Sequence, residues 1–398
     1  MSQSSTRAPA RWARLALAAL LTACGGGGGS GDGAPPPGGG SSSGGGVSVS
    51  FSAPQAQDVF STSEPLTLTA RVTVNGAAVA DGTPVRFSSA PGPFAATGTT
   101  QDGWASATLS GATAGRQELN ATATVSGQTA TAARVVYLRP APRPLALLVP
   151  AYIYPSASGS AWDRLAASAA GTPGVQLTAI MNPTNGVFTS ADANYARAAG
   201  RLVAAGGRVL GYVHTRYGSG ERTLAQVQAN ADAYLALYGR GVISGFFIDE
   251  MSSDPSRLPF YRTLFDHIKG RDASLQVVGN PGAVPAAAYA EVADVLVTLE
   301  GGNAGFQDYD PRSTPWLYAQ PNARLAALVH NVGGCAAMQT AVRQAATARN
   351  HLGMLYVTDQ EYDPVTRTGN PWGALPAYWN GLVLAVDAAN RGLPPPAC

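Results

Sequence analysis

"GFFIDEMSS" occupies Gly245–Ser253, and its reading decides the fold. Four small or apolar residues, Gly245 to Ile248, run directly into two adjacent carboxylates, Asp249 and Glu250. An unbroken apolar run of this kind suits a strand buried on both faces, as in parallel sheets covered by helices. Such a strand ends in two acids where they meet water or do chemistry. Side chains alternate between the faces of a strand. One of the two acids is therefore expected to point inward, and the other to meet the surrounding helices or turn back at the strand's end.

Seven further runs of the same type follow residue 145: "LALLVPAYIYP", "VQLTAIMNP", "RVLGYVHT", "LQVVGNPG", "VLVTLEG", "LAALVHNV" and "LGMLYVTD". Between them lie amphipathic stretches such as "ADANYARAAGRLVAAG" and "TLAQVQANADAYLALYG". The second opens on Thr223 with Gln226 three residues on, the spacing of a capping box. Eight β-α units over about 250 residues fit a TIM (β/α)8 barrel in count and size. A doubly wound sheet is the competing arrangement; it usually has fewer strands and often a glycine-rich phosphate loop, and residues 145–398 hold neither G-x-G-x-x-G nor a Walker motif.

Upstream the chain changes character several times. Residues 1–23 read as an export segment, with Arg7, Arg11 and Arg14 ahead of the apolar "LALAALLTA". Leu21-Thr22-Ala23-Cys24 resembles a bacterial lipobox, which makes Cys24 the expected lipidation site. Localisation as an exported lipoprotein at the outer membrane or cell surface follows, with the periplasm as the alternative. Residues 24–46 are almost all Gly, Ser and Pro and read as a flexible tether. Residues 47–138 hold short alternating runs rich in Val, Thr and Ala, separated by turn signals such as Asn75-Gly76 and Asp102-Gly103. They predict a β-sandwich of immunoglobulin type. "LTLTARVTVNGAAVADGTPVRFSS" with "TTQDGWASATLSG" resembles the bacterial Ig-like repeats of invasin and intimin, which implies a spacer or a binding module. Residues 139–144 are a Pro-rich linker, and 145–398 form the expected barrel. Once Cys24 is lipidated, Cys335 and Cys398 remain, and in an exported protein they are expected to pair.

The chain has 398 residues, a net charge of +2 and only 13% charged residues. No clustered basic face supports nucleic-acid binding. Lys269 is the only lysine and sits in the polar "HIKGRD", so Schiff-base chemistry is set aside. No cofactor and no metal is expected, and the protein is read as a monomer.

In a TIM barrel the site lies where the strands end. The ends of the eight runs carry Tyr152 and Tyr154, Asn182, Tyr212 with His214, Arg216 and Tyr217, then Asp249 and Glu250, Asn280, Glu300, His330 with Asn331, and Asp359. Polar and aromatic residues gather at one end of nearly every strand. Asp249, Glu250 and Glu300 are the candidate catalytic acids, because carboxylates facing across a sugar-sized gap are what glycosidic cleavage requires. The others are candidate substrate contacts, with Trp316 as a further ring able to stack on a sugar.

"LLVPAYIYP", Asn182-Pro183-Thr184-Asn185-Gly186, "GYVHTRYG", "GFFIDE", "VVGNPG" and "VTLEG", in this order over 145–390, resemble the spherulin 4 (spherulation-specific) family. Characterised members are glycoside hydrolases of family 135. The resemblance implies an endo-hydrolase acting on an α-1,4-linked galactose, galactosamine and N-acetylgalactosamine polymer, so an amino-sugar polysaccharide is the implied partner. It also implies that the family's adjacent Asp-Glu pair and later Glu correspond to Asp249, Glu250 and Glu300. Two other readings stay open. One is a metal-dependent barrel enzyme using those acids with His214 and His330. The other is a surface lectin or adhesin that holds a glycan without cutting it.

Overall fold

The computed structural model describes residues 46–156 and 158–398. The export segment, Cys24 and the tether as far as residue 45 lie outside the described residues. Nine strands come first: β1 (Val47–Ala53), β2 (Val59–Ser61), β3 (Leu66–Val74), β4 (Ala77–Ala78), β5 (Pro84–Ala90), β6 (Ala95–Thr99), β7 (Trp104–Leu109), β8 (Gly115–Val125) and β9 (Gln128–Arg139). They build a four-stranded sheet, in which β3 carries β1, β4 and β7, and a five-stranded sheet ordered β2-β9-β8-β5-β6. Period-2 patterning sets the faces. On β3, Leu68, Ala70 and Val72 are buried while Thr67 and Arg71 are exposed. Leu68 and Val72 join Val85, Phe87, Leu119 and Val136 in one core between the sheets. The short strands β2 and β4 carry too few residues for alternation to reveal them.

Eight strands then close into a barrel: β10 (Ala146–Ala151), β11 (Leu177–Met181), β12 (Arg208–His214), β13 (Gly245–Asp249), β14 (Gln276–Gly279), β15 (Val295–Gly302), β16 (Leu325–His330) and β17 (Met354–Val357). Each is parallel to its neighbours. All five residues of β13 are buried, as a strand covered on both faces requires. Phe247 faces inward against Tyr212, and Phe246 faces outward against Tyr234, 6.1 Å away between ring centres. The helices are α1 (Ala161–Gly171), α2 (Ala193–Ala204), α3 (Leu224–Tyr238), α4 (Leu258–Arg271), α5 (Asn303–Gln307), α6 (Gly334–Ala345) and α7 (Trp379–Asn390). Thr223 and Gln226 form the capping box that opens α3. The expectation of eight β-α units needs one correction. After β14 the connection to β15 is a 3-10 turn, Ala287–Glu291, in place of an α-helix. Pro281 and Pro285 explain this, since each removes an amide donor and Pro285 disfavours helical geometry in the residue before it. A small hairpin, β18 (Tyr362–Asp363) with β19 (Thr368–Gly369), rises after β17.

The sandwich is seated on the floor of the barrel, where strands begin. The rings of Tyr137 and Tyr318 lie 5.1 Å apart. The Tyr137 hydroxyl donates to Arg312 O at 3.2 Å, and the Arg312 guanidinium donates to Gln57 O at 3.2 Å. Trp316, in the turn Pro315–Ala319, packs beside Leu296 and Leu325 near the starts of β15 and β16. At the C-terminal end, Cys335 in α6 is disulfide-bonded to Cys398.

Candidate active site

Strand register decides which side chains enter the mouth. Tyr212 pairs with Phe247, His214 with Asp249, and Phe247 with Val278. Paired residues of parallel strands share a face, so Tyr212, His214, Asp249 and Asn280 all point inward. Asp249 is buried at 8% exposure and accepts two hydrogen bonds, from the Tyr212 hydroxyl at 2.6 Å and from Asn280 Nδ2 at 2.8 Å. The same Asn280 nitrogen also donates to Glu300 Oε2. One amide group thus bridges two carboxylates that come from strands two apart. Asn280 is itself oriented by Gly282 N–H, which donates to its carbonyl oxygen at 3.1 Å.

Glu300 reaches this position through a backbone irregularity. Val295 and Val297 are on the inward side of β15, since Val295 pairs with Val278. Strict alternation from Val297 sends Glu300 outward. The pairing with β16 shifts instead: Val297 opposes Ala326, but Leu299 opposes Ala327. Thr298 is the extra residue, a β-bulge of the type that re-aims side chains beside active sites. Its hydroxyl is buried, 2.8 Å from the Tyr309 hydroxyl and 3.3 Å from Ala326 O. Beyond the bulge Glu300 faces inward again, opposite Leu328, and Gly302 lies opposite His330.

Glu250 takes the other course open to it and turns back at the strand's end. Its φ of +50° lies in the left-handed region, which costs a non-glycine residue on the order of 1 kcal/mol. Thr215, Arg216 and Tyr217 hold it there. Thr215 N–H donates to Asp249 O at 3.0 Å and Tyr217 N–H to Glu250 O at 2.7 Å. The Thr215 hydroxyl donates to Glu250 O at 2.7 Å and meets the Tyr261 hydroxyl at 3.0 Å. Glu250 Oε1 then lies 3.6 Å from the Arg216 guanidinium, while Oε2 is buried with no partner.

Burial raises all three carboxyl groups. Glu300 is pushed up to about 7, by desolvation first and by the Asp249 charge second, against hydrogen bonds from Asn280 and Trp372. Burial also raises Asp249, but Tyr212, the Glu250 amide and Asn280 all favour its ionised form. Two carboxyl groups that share one donor in a dry site do not both ionise readily. The Tyr212 hydroxyl favours the charge on Asp249, and burial beside that charge favours the proton on Glu300.

The remaining candidates divide. Tyr152 is half-buried at the mouth, edge-on to Tyr212 with ring centres 5.4 Å apart. Tyr217 lies near all three acids, whose charges together with burial raise its hydroxyl. His214 Nδ1 is 3.1 Å from Asn185 O, and burial with the nearby Arg222 charge lowers it to about 4, so the imidazole is neutral. Gly186, at φ +75°, makes this approach feasible, because any side chain there would strike the Tyr212 carbonyl. Asn182 keeps a buried Oδ1 with no partner. His330 is buried and stands edge-on to both Tyr362 and Trp372.

Three side chains expected at the mouth do other work. Tyr154 is exposed and its hydroxyl is bonded to Asp192 and Asn194 at the start of α2. Asn331 is committed to the loop, with its carbonyl oxygen on Tyr362 N–H at 2.8 Å and its amide on Tyr362 O. Asp359 likewise accepts from Ala377 N–H at 3.1 Å and from Gln360. Trp316 is a correction: it packs at the barrel floor, because the chain must return there to begin β16. Trp372 was missed by the sequence reading. It is buried in the long excursion after β17, 5.9 Å from Tyr356 and 6.1 Å from His330 between ring centres, and it is turned toward Glu300. Only its type, an aromatic in a polar loop, hinted at a role.

Comparison with known proteins fits this architecture. The chain matches the spherulation-specific family 4 over residues 146–386. It is 31% identical to Spherulin-4 of Physarum polycephalum over 256 residues, which is 62% of this chain and 71% of that protein. Among solved structures it resembles Aspergillus clavatus Sph3 in complex with GalNAc, with 26% identity and a TM-score of 0.51, covering 61% of this chain and 98% of that one. The eight-stranded parallel barrel with its mouth of bridged acids is that of a member of the spherulin 4 family, and the chain belongs to it.

Proposed function

We propose that the barrel is an endo-acting glycoside hydrolase for a polysaccharide containing N-acetylgalactosamine and galactosamine. The observation that carries this reading is the Asn280 bridge: one amide nitrogen donates to two buried carboxyl groups, of which burial and the neighbouring charge push Glu300 up to about 7 while Tyr212 favours the anion on Asp249. That division is what general-acid cleavage of a glycosidic bond needs. Glu300 gives its proton to the leaving oxygen. Asp249 supplies the anion, as nucleophile or as partner to the substrate's own acetamido oxygen. Glu250, paired with Arg216, sets the local field. A single nitrogen touching both acids keeps the nearest oxygens within about 5 Å, which favours the retaining spacing over the inverting one. The GalNAc held by Sph3 supports the amino-sugar class. The metal-dependent alternative is disfavoured, because Asp249 is already occupied by hydrogen-bond donors and Glu250 faces a guanidinium.

The test is incubation of the protein, and of Glu300→Gln, with partly de-N-acetylated N-acetylgalactosamine polymer, reading products by mass spectrometry. Oligosaccharides from the wild type alone support the assignment. Retention of polymer by both without products overturns it in favour of the lectin. We read the sandwich as an Ig-like domain and the protein as surface-anchored through Cys24. Radiolabelled palmitate incorporated by the wild type but not by Cys24→Ser checks the anchor.

A further inference from the structure

The sandwich carries an open concavity of ≈ 660 Å³ far from the acids, between β6 and β7. Its walls are Thr97 and Thr99 of β6, the turn Gln101–Asp102, and Trp104 with Ser106 of β7. Gly98 makes it: any side chain there would strike the Ser106 carbonyl, so its absence lets the edges of the two sheets meet and form a floor. Gly103, at φ +78°, packs the turn against β4, where a Cβ would lie 2.9 Å from that of Ala78. Asp102 N–H donates to Asp81 Oδ1 at 2.7 Å, which fixes the turn.

Trp104 is the unusual residue. Alternation places it on the outer, solvated face of its sheet, 39% exposed, opposite Arg71 on β3. The Arg71 guanidinium lies 5.3 Å from its ring centre. Around the indole stand hydroxyls, an amide and a carboxylate, with no other large apolar group lining the concavity. A protein partner needs an apolar core at its contact, and a nucleic acid needs a basic groove. Neither is here. A pyranose suits what is here: its C–H face lies on an indole, and its hydroxyl and acetamido groups meet Thr, Ser and Gln side chains. Ammonium groups of a partly de-N-acetylated chain suit Asp102.

We propose that this concavity is a second polysaccharide-binding site, centred on Trp104, for a segment of an amino-sugar polymer. It gives the protein two holds on one chain and raises the effective concentration of polymer at the barrel mouth. The choice of polymer rests on the reading of the barrel; dependence of binding on Trp104 does not require cleavage.

The test is affinity electrophoresis of the full chain in gels containing partly de-N-acetylated poly-N-acetylgalactosamine. All variants carry Glu300→Gln so that nothing is cut. Trp104→Ala is expected to weaken retardation about tenfold or more in apparent Kd, and Trp104→Tyr to keep most of it. Gln101→Ala, which keeps the backbone pairing of residue 101 with Trp104 and removes only the amide, is expected to weaken it severalfold. With Glu300 intact, Trp104→Ala leaves turnover of short oligosaccharides unchanged and slows cleavage of polymer. If Trp104→Ala fails to fold, Gln101→Ala decides alone. Retardation equal to the parent in the folded variants overturns the proposal, and so does absence of retardation in the parent. Failure of the hydrolase reading is seen separately, as intact polymer with wild-type protein.

Discussion

Asn280 serves two acids with one amide, so its loss touches both. Removing it takes a charge-favouring hydrogen bond from Asp249 and another from Glu300. Both carboxyls then rise, and the whole bell of kcat/KM against pH moves to the alkaline side for Asn280→Ala, with activity down about 10- to 100-fold. Tyr212→Phe behaves differently. It strips the 2.6 Å hydrogen bond from Asp249 alone, so only the acidic limb climbs. In the wild type the alkaline limb falls through about 7, where Glu300 loses its proton. The same shift acts on stability. A carboxyl whose folded pKa is raised favours folding below its unfolded value, and that contribution is lost as pH rises through the folded value. Glu300→Gln is therefore expected to be more stable than the wild type at pH 9, on the order of 3 kcal/mol, and nearly equal at pH 4. Urea titrations at the two pH values read the difference.

Between strands, the junction after β12 is the part most dependent on one hydroxyl. Thr215 joins the backbone of Asp249 and Glu250 to Tyr261 of α4. Thr215→Val keeps the shape and removes the donor, leaving the Glu250 carbonyl with Tyr217 N–H alone and the Tyr261 hydroxyl with Ser252 N–H alone. A loss of about 1–3 kcal/mol in thermal or urea unfolding is expected, with KM raised as Glu250 and Arg216 loosen. The elements themselves were largely legible. Apolar runs such as Gly245–Ile248 and the Thr223–Gln226 cap declare themselves because burial and capping act on neighbouring residues. The carboxylates at strand ends were legible for the same reason. Trp372 was not, because it enters the site from a long loop whose path depends on Asn331 and Asp359. Nor was the commitment of those two side chains to the loop, since an Asn at a strand end reads alike whether it holds backbone or ligand.

Across the whole molecule, sandwich and floor meet through Tyr137, Tyr318 and Arg312, which leaves the mouth open on the other side. The disulfide closes a loop of 63 residues in sequence separation, from α6 past α7 to the tail. Replacing Cys335 and Cys398 together by Ser is expected to lower stability by up to about 4 kcal/mol with little change in kcat, read by urea unfolding. The bulge at Thr298 has the widest reach. If the chain ran through Thr298 in regular alternation, with no bulge, Glu300 would turn toward the helices, while every acid stayed in the gene. A survey of genomes that counts Asp249, Glu250 and Glu300 equivalents would pass such a copy as a working enzyme. Parsing homologues for this family therefore means asking how the strand pairs between the valine and the glutamate, because a bulge there separates an acid in the mouth from one outside it.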